Sequence, residues 1–474
     1  MAINKVYITT AIDYANDVVH IGQAYEKILA DAAARYFREK IGENNVYFST
    51  GTDEHGTTNQ RAAEKRNITP QQHVDEISAQ DIEQADALNI SYDRFIRTTD
   101  KDHEKVAADL FAQAVATGDV YKGKYEGFYC EGCETHKTLS DLNEAGQCPL
   151  HTTRQIQKIE EENYFFKWSK YSDFLKKLVS SENFVLPERK RNEMLAMIDA
   201  GLKDKPVSRP KSKVSWGIPV PGDPDQVLYV WYDALVNYYT IGSQTGYWSE
   251  DTRIIHFVGK DIATFHVLLW PAMLRNVGIR VPDTVYVHGF INLDGEKISK
   301  SKGNVIRPTD LVEKYGVDPV RYYFLKHGPI TDDVSVSVKQ LEEVYNSDLA
   351  NGLGNTVARL AKLAERSGFE FPVKNVGSEI WNQEWAKPFD EFRVDLVLQN
   401  IWAKLAELDK HINDNEPWKI QDKTKLKEVL SYEIDELRLV TEMLKPFIPQ
   451  TAKKIEEHLF KTEIKSFEVL FPRL

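Results

Sequence analysis

His20-Ile21-Gly22-Gln23 stands at a junction. Before it, Val6-Tyr7-Ile8-Thr9-Thr10 is a short β-branched and aromatic run that reads as a buried strand, followed by a polar loop over residues 13–19. After it, residues 24–38 carry a helical pattern. Strand, polar loop and helix with glycine at the turn form an anion-binding arrangement. First-turn N–H groups and the positive end of the helix dipole both face the loop. Gly22 has no Cβ, so a flat ring can lie against its backbone. His20 and Gln23 carry donors suited to phosphate oxygens.

All three cysteines lie in a second group, Cys130-Glu-Gly-Cys133 and Cys148-Pro-Leu-His151. CxxC followed by CxxH is close to the spacing of a structural Zn²⁺ site with three sulfurs and one nitrogen. Four protein ligands close the coordination sphere, so the metal would be structural rather than hydrolytic. His136 and His55 are nearby alternative ligands. An odd cysteine count with this local spacing argues for a reduced compartment and against a disulfide framework.

Stepping outward, these groups need elements to hold them. Asn45-Val-Tyr-Phe-Ser-Thr50 reads as a second strand that ends in Gly51-Thr52-Asp53-Glu54-His55-Gly56. In an open α/β sheet the ligand binds beyond the C-terminal ends of the strands, where this polar cluster falls. Residues 57–118 read as helices. Residues 205–221 read as a polar, proline-interspersed linker back to the sheet. Then Val227-Leu-Tyr-Val230 is a strand, and Trp231, Ala234, Leu235 and Tyr238 share one face of the helix after it. Ile255-His-Phe-Val258 is another strand, followed by Gly259-Lys-Asp261, and Ile262, His266 and Trp270 share the next helical face. By periodicity alone both aromatic stripes fit core or pocket. From Val305 the chain turns helical. Asn355 and Arg359 fall on one face, Asn415-Glu-Pro-Trp418 marks a helix end, and residues 390–412 and 425–459 are amphipathic, as in an antiparallel helix bundle.

The chain has 474 residues and a net charge of −12. That length suggests about three domains. The charge argues against a surface coated in basic residues, but nucleic-acid phosphates need only local Lys/Arg patches. No apolar run is long enough for a membrane span. The first strand begins too early for a signal peptide, so a cytoplasmic location is expected.

His20-Ile21-Gly22-Gln23 resembles the HIGH motif of class I aminoacyl-tRNA synthetases, with Gln in place of the last His. Lys297-Ile298-Ser299-Lys300-Ser301 resembles the KMSKS loop of the same family. The pair, in this order, is similar to the methionine-specific branch over essentially the whole chain. The resemblance implies a Rossmann-type doubly wound parallel sheet, an inserted connective domain with a zinc knuckle, and a C-terminal helical anticodon-binding bundle. The expected divisions are 1–115 and 227–288 for the two catalytic halves, 116–226 for the insertion, 289–347 for the stem-contact region and 348–474 for the bundle. Methionine-site residues carried over are Ala11, Ile12, Tyr14, Asp53 for the α-amino group, Arg209, Trp231, Ala234, Leu235, Tyr238, Ile262, His266 and Trp270. Without the resemblance, Arg209 reads equally as a surface arginine. The family usually has Pro where this chain has Asp13, and some members have Pro where it has Leu235.

ATP would be bound by His20, Gly22, Gln23, Gly259, Asp261, Lys297 and Lys300, with His20, Gln23, Lys297 and Lys300 catalytic. Cys130, Cys133, Cys148 and His151 would hold one zinc, and Mg²⁺ would enter with ATP. Asn355, Arg359 and Trp418 would read the anticodon of tRNA(Met). The expected enzyme is a monomer that activates L-methionine with ATP and passes it to tRNA. The competing readings are a class I enzyme for another apolar amino acid, a tRNA-binding relative that has lost activation, and a nucleotidylyltransferase with an HxGH-type site.

Overall fold

The Val6–Thr10 run enters the sheet as expected. In the computed structural model seven strands form it: β1 (Lys5–Thr10), β2 (Asp13–Tyr14), β3 (Val46–Asp53), β4 (Arg94–Arg97), β5 (Val185–Leu186), β6 (Thr252–Gly259) and β7 (Thr284–His288). Their order is β2-β3-β1-β6-β7-β5, with β4 paired to β3. The β1/β6, β2/β3, β3/β4 and β5/β7 ladders are parallel. Tyr7 and Ile8 are buried, the continuous apolar pattern of a parallel strand covered on both faces. The structure describes residues 4–130, 135–137, 139–149, 156–293, 295–297, 306–374 and 377–474. Cys133, His151 and Lys300, and the side chains of His136 and Lys297, lie outside the described residues.

The chain divides into two compact units. One comprises Met1–Val19, Tyr47–Gln84 and Tyr92–Val287 and holds the sheet. Its core packs Leu228, Leu235, Tyr238, Val258, Val267, Leu268 and Trp270 against Phe111, Phe166 and Leu175. Two antiparallel sheets interrupt its strand series. Val120–Cys130 pairs with Gln157–Phe166 along nearly its whole length, flanked by Thr135–Lys137 and Lys205–Pro206.

Residues 205–221 contain strands, contrary to the linker expectation. Ser208–Pro210 and Pro219–Val220 flank Asp223–Leu228. The prolines there signalled irregular chain, but both flanking segments are edge strands, which tolerate a residue with no N–H. The strand also ends at Leu228, so the next helix, Val230–Thr245, begins one residue before Trp231. Within the stretch read as helical, Arg94–Arg97 is a strand. Its sequence, Arg-Phe-Ile-Arg, is too short to show a period, and only its pairing with β3 identifies it.

The second unit comprises His20–Val46, Ala85–Ser91 and His288–Leu474. It contains the helix Ile21–Ile41, the helices Pro308–Tyr315 and Val317–His327, and a helical series from Asn355–Ser367 through Val394–Asn415 and Lys423–Leu444 to Pro449–Leu459. The last four pack as a bundle along apolar faces such as Val397, Ile401, Leu405, Leu408 and Ile412. Arg321 ties the unit together. Its guanidinium meets Asp31 at 2.6 Å and donates to the carbonyls of Leu88, Phe447 and Pro446.

Candidate active site and anticodon face

In the sheet-bearing unit the site grows from the C-terminal ends of β1, β3 and β6. The β2/β3 ladder sets Tyr14 beside Asp53. Asp53 is buried, and its carbonyl accepts from Ala15 N at 3.0 Å and from Asn59 Nδ2 at 3.0 Å. Tyr14 meets Trp231 edge-on, with centroids 5.9 Å apart at 81°. Trp231 in turn stacks on Phe265 at 3.9 Å and 3°. Deeper in, Tyr238 Oη lies 2.8 Å from His266 Nε2, and His266 Nδ1 lies 3.1 Å from the Ile262 carbonyl. Burial holds the His266 imidazole down at about 4, so the ring is neutral at physiological pH. His256, 4.4 Å from the Tyr238 ring and 2.7 Å from Thr9 Oγ1, is likewise driven well below the usual histidine range by burial. The result is an aromatic, uncharged wall with two neutral imidazoles.

The amino-acid residues named from the sequence fall into neighbouring clusters. Ala11, Leu235, Tyr238 and Trp270 belong to the main core. Tyr14, Trp231 and Ile262 pack with Phe265 and Tyr229. Ala234 is buried on the same helix as Trp231. Ile12 packs elsewhere, on Tyr7, Ile96, Ile241 and Ile254. Arg209 is not a surface arginine. It is buried, paired with Glu161 at 3.2 and 2.5 Å, and its guanidinium sits 4.1 Å from the Tyr129 ring centre. Gly259 closes β6, and Asp261 is exposed in the turn after it.

Phe265 and His256 escaped the sequence reading. Phe265 opens a π-helical turn, Phe265–Leu269, whose wider spacing breaks the i, i+4 count. His256 had only its place in the β6 run as a signal. A third group was also missed. Asp233 Oδ2 lies 2.7 Å from His55 Nδ1, and its Oδ1 lies 2.7 Å from His103 Nε2. Burial raises that carboxyl, but the two histidines outweigh it and hold the carboxyl at about 2. The clamp ties the Trp231 helix to the loop after Asp53. His55 is thus engaged with Asp233.

In the second unit the His20 segment starts the helix Ile21–Ile41 with a reciprocal cap. His20 Nδ1 accepts from Gly22 N at 3.1 Å, and Gln23 Oε1 accepts from His20 N at 3.1 Å. A Cβ on Gly22 would stand 2.9 Å from His20 Cε1, so glycine gives the folded-back ring its room. With Nδ1 accepting, the neutral imidazole carries its proton on Nε2. Ile21 N donates to the Ile306 carbonyl at 3.3 Å, joining the helix start to the residue directly after the lysine segment. On the other side of that segment, Lys297 pairs with Asn292 in a strand ladder, and Ile291–Leu293 runs parallel to Val334–Val336.

The bundle carries its own face. Asn355 and Arg359 lie on one side of the helix Asn355–Ser367, Asn355 exposed and Arg359 half-buried. Arg359 Cζ sits 4.5 Å from the Trp418 ring centre, and its Nη1 donates to Asn413 Oδ1 at 2.9 Å. Trp418 is 47% exposed, in the short turn Pro417–Lys419 after the helix ending at Asn415. A planar cation against a half-exposed indole offers both stacking and edge bonding to an unpaired base.

Among the described residues no group of three or more His, Cys, Asp or Glu side chains is placed to hold a metal. Cys130 and Cys148 are both buried. No described helix is long and apolar enough to cross a membrane.

The family described as tRNA synthetases class I (M) matches residues 6–159 and 151–361. The methionine–tRNA ligase of Caldanaerobacter subterraneus subsp. tengcongensis is 39% identical, over 99% of this chain and 78% of that protein. That of Clostridium acetobutylicum is 38% identical over the same shares. The Mycobacterium tuberculosis methionyl-tRNA synthetase, solved in complex with methionyl-adenylate, superposes with a TM-score of 0.91 at 32% identity and covers 100% of both chains. A glycine-hinged helix cap, an uncharged aromatic wall and a cation-backed tryptophan thus sit on a chain that, from end to end, belongs to the methionine–tRNA ligases, the class I aminoacyl-tRNA synthetases specific for methionine.

Proposed function

We propose that the chain charges tRNA(Met) in two steps. The methionine carboxylate attacks the α-phosphate of ATP, giving methionyl-adenylate and pyrophosphate. A ribose hydroxyl at the 3′ end of tRNA(Met) then attacks the acyl carbon and releases AMP. No protein nucleophile is needed, so catalysis rests on positioning and on stabilising charge at the α-phosphate. The observation that carries this reading is the cap at His20 and Gln23, docked through Ile21 to Ile306. The cap occupies His20 Nδ1 and Gln23 Oε1 and puts both side chains at the positive end of a helix, where anions bind.

His20, Gln23 and the Gly22 backbone take the phosphates from one side, and Lys297 and Lys300 supply charge from the other. Gly259 and Asp261 take the nucleoside, with Asp261 on the ribose. Asp53 holds the α-amino group. Ala11, Tyr14, Trp231, Ala234, Leu235, Tyr238, Ile262, His266 and Trp270 enclose the side chain, Ile12 stands behind them in the neighbouring cluster, and Arg209, buried beside Glu161, is the arginine assigned to the methionine site. An unbranched thioether suits this wall, because polarizable sulfur packs well on aromatic rings and the neutral imidazoles add no charge to repel it.

Cys130, Cys133, Cys148 and His151 are the ligands proposed for one structural zinc, which would brace the insertion. Mg²⁺ accompanies ATP. Asn355, Arg359 and Trp418 read the anticodon. We assign the catalytic halves to 1–115 and 227–288, the connective insertion to 116–226, the stem-contact region to 289–347 and the anticodon domain to 348–474, in a cytoplasmic monomer. ATP–pyrophosphate exchange with a panel of amino acids tests the assignment. Methionine should support exchange, with apolar competitors one methylene different slower by roughly 10–200-fold. Exchange fastest with isoleucine, valine or leucine would refute it.

A further inference from the structure

The sheet-bearing unit also holds a polar cavity of about 450 Å³, separate from the aromatic wall. One edge is the N-terminus of the helix Thr57–Arg66, directly after the loop that carries Asp53. Gly56 stands at the N-cap with φ of 100°, a backbone position that favours glycine, and no side chain caps the first turn. The positive end of the helix dipole therefore lies at that edge.

The second observation is Thr57. It lines the cavity at 8% exposure, and its hydroxyl is buried with no hydrogen-bond partner. A buried hydroxyl left unbonded is costly, so it marks a place for a ligand. Arg61 lies one turn further on the same helix face, and Lys213 brings further positive charge, while Lys158 is paired with Glu126 at 3.2 Å. Glu160 opposes them. Glu161 does not add to that opposition, because Arg209 neutralises it at 3.2 and 2.5 Å. The balance is cationic beside an uncapped helix start.

We infer that this cavity binds a phosphate group, with the Thr57 hydroxyl as donor and the positive helix end and Arg61 as the counter-charge. The inference rests on the tRNA-charging reading, in which two sources present such a group near the adenylate: the pyrophosphate product and the backbone of the tRNA acceptor strand. The geometry is that of a holding site, since nothing in it is placed to break a bond.

The test uses Thr57→Val, which removes the hydroxyl and keeps the shape, Thr57→Ser, which restores it, and Arg61→Gln. Two constants are measured: KM for inorganic pyrophosphate in reversal of methionyl-adenylate formation, and KM for tRNA(Met) in aminoacylation. Thr57→Val and Arg61→Gln should each raise one of them about tenfold, the loss expected for a hydrogen bond to a charged group. Thr57→Ser should return it to the wild-type value, and kcat for adenylate formation should stay within about twofold. A rise confined to tRNA, with the salt dependence reduced by about one phosphate contact, identifies the acceptor strand. A rise confined to pyrophosphate identifies the product. Both constants unchanged in both variants, or losses that serine does not repair, overturn the inference. Failure of the charging reading would show instead as a wild type without methionine-dependent exchange. In that case calorimetry of inorganic pyrophosphate binding to wild type and Thr57→Val still decides the cavity, and equal affinities count against it.

Discussion

Tyr238 Oη and His266 Nε2 lie 2.8 Å apart, and the bond between them runs one way. The Ile262 carbonyl, 3.1 Å from His266 Nδ1, can only accept, so Nδ1 carries the proton. Nε2 then accepts from the tyrosine hydroxyl. The ring is locked in one tautomer, and protonating it would break the bond to Tyr238 or reverse it.

That lock has a pH signature. His266 titrates at about 4 when folded, against 6.5 for the free side chain. Between those values the unfolded chain binds the extra proton, so stability rises with pH across the window. The wild type should lose on the order of 3 kcal/mol from this group as pH falls from 6.5 to 4. His266→Phe should make that part of a stability–pH curve measured by urea unfolding shallower, leaving the share of His256, which burial also holds below the usual range. Asp233, held at about 2, acts separately, and its contribution is lost only as pH falls from 3.8 towards 2. A curve equally steep from pH 6.5 to 4 in His266→Phe would contradict the neutral-ring assignment.

Gln23 has two jobs. Its Oε1 caps the His20 N–H at 3.1 Å, and its amide donors are proposed for phosphate. Gln23→His should change adenylate formation by less than about tenfold, because a donor remains. Gln23→Ala should lose more, and the missing cap should cost about 1 kcal/mol of stability. Pre-steady-state adenylate formation together with thermal unfolding separates the two effects. An inactive wild type rescued by Gln23→His would favour a relative that has lost activation.

Arg359 and Trp418 should behave as one reader. Trp418→Ala should leave pyrophosphate exchange intact and slow tRNA charging by tens-fold, as loss of a stacked base worth about 1–3 kcal/mol implies. Because Arg359 rests 4.5 Å from the indole, the double variant with Arg359→Ala should cost less than the sum of the singles. Equal losses in exchange and charging would exclude a role for Trp418 confined to tRNA.

Arg321→Met should be strongly destabilising. It strands Asp31, buried and 2.6 Å from the lost guanidinium, with Arg35 alone left as an ion-pair partner among the described residues. Breaking one side of such a pair costs about 3–5 kcal/mol. Denaturant unfolding of Arg321→Met and Asp31→Asn/Arg321→Met should show the double variant recovering part of the loss. No recovery would mean the carbonyl bonds of Arg321 dominate.

Zinc content of fresh protein should be close to one per chain, and Cys148→Ala should release it. Elemental analysis of both proteins checks this, and a metal-free wild type would end the knuckle assignment.

The turn at His20 to Gln23 and the shared helical face of Asn355 and Arg359 were legible because each is local and needs only neighbours in sequence. Three strands of the sheet, at 5–10, 46–53 and 252–259, were legible through their apolar runs, whereas Asp13–Tyr14, Arg94–Arg97, Val185–Leu186 and Thr284–His288 were not, and the run at 227–230 belongs to a separate antiparallel sheet. The hidden parts are those that depend on distant residues or an altered period. The His55–Asp233–His103 clamp joins positions up to 178 residues apart. Phe265 reaches Trp231 only because a π turn replaces α geometry. Arg209, ambiguous in sequence, is settled as a buried residue by Glu161 on a strand 48 residues before it.

The Asp31–Arg321 pair also sets a schedule for biosynthesis. The two residues are 290 positions apart, and Arg321 reaches on to Phe447, 126 positions further. At roughly 5–20 residues per second, the ribosome delivers Arg321 about 15–60 s after Asp31. Until then the helix Ile21–Ile41 has left the exit tunnel without the guanidinium its inward carboxylate requires. The sheet-bearing unit can finish once Val287 has emerged, whereas the first helix must wait for almost the whole chain. The nascent protein should therefore complete its sheet-bearing unit first, with the helix Ile21–Ile41 among the last pieces to dock.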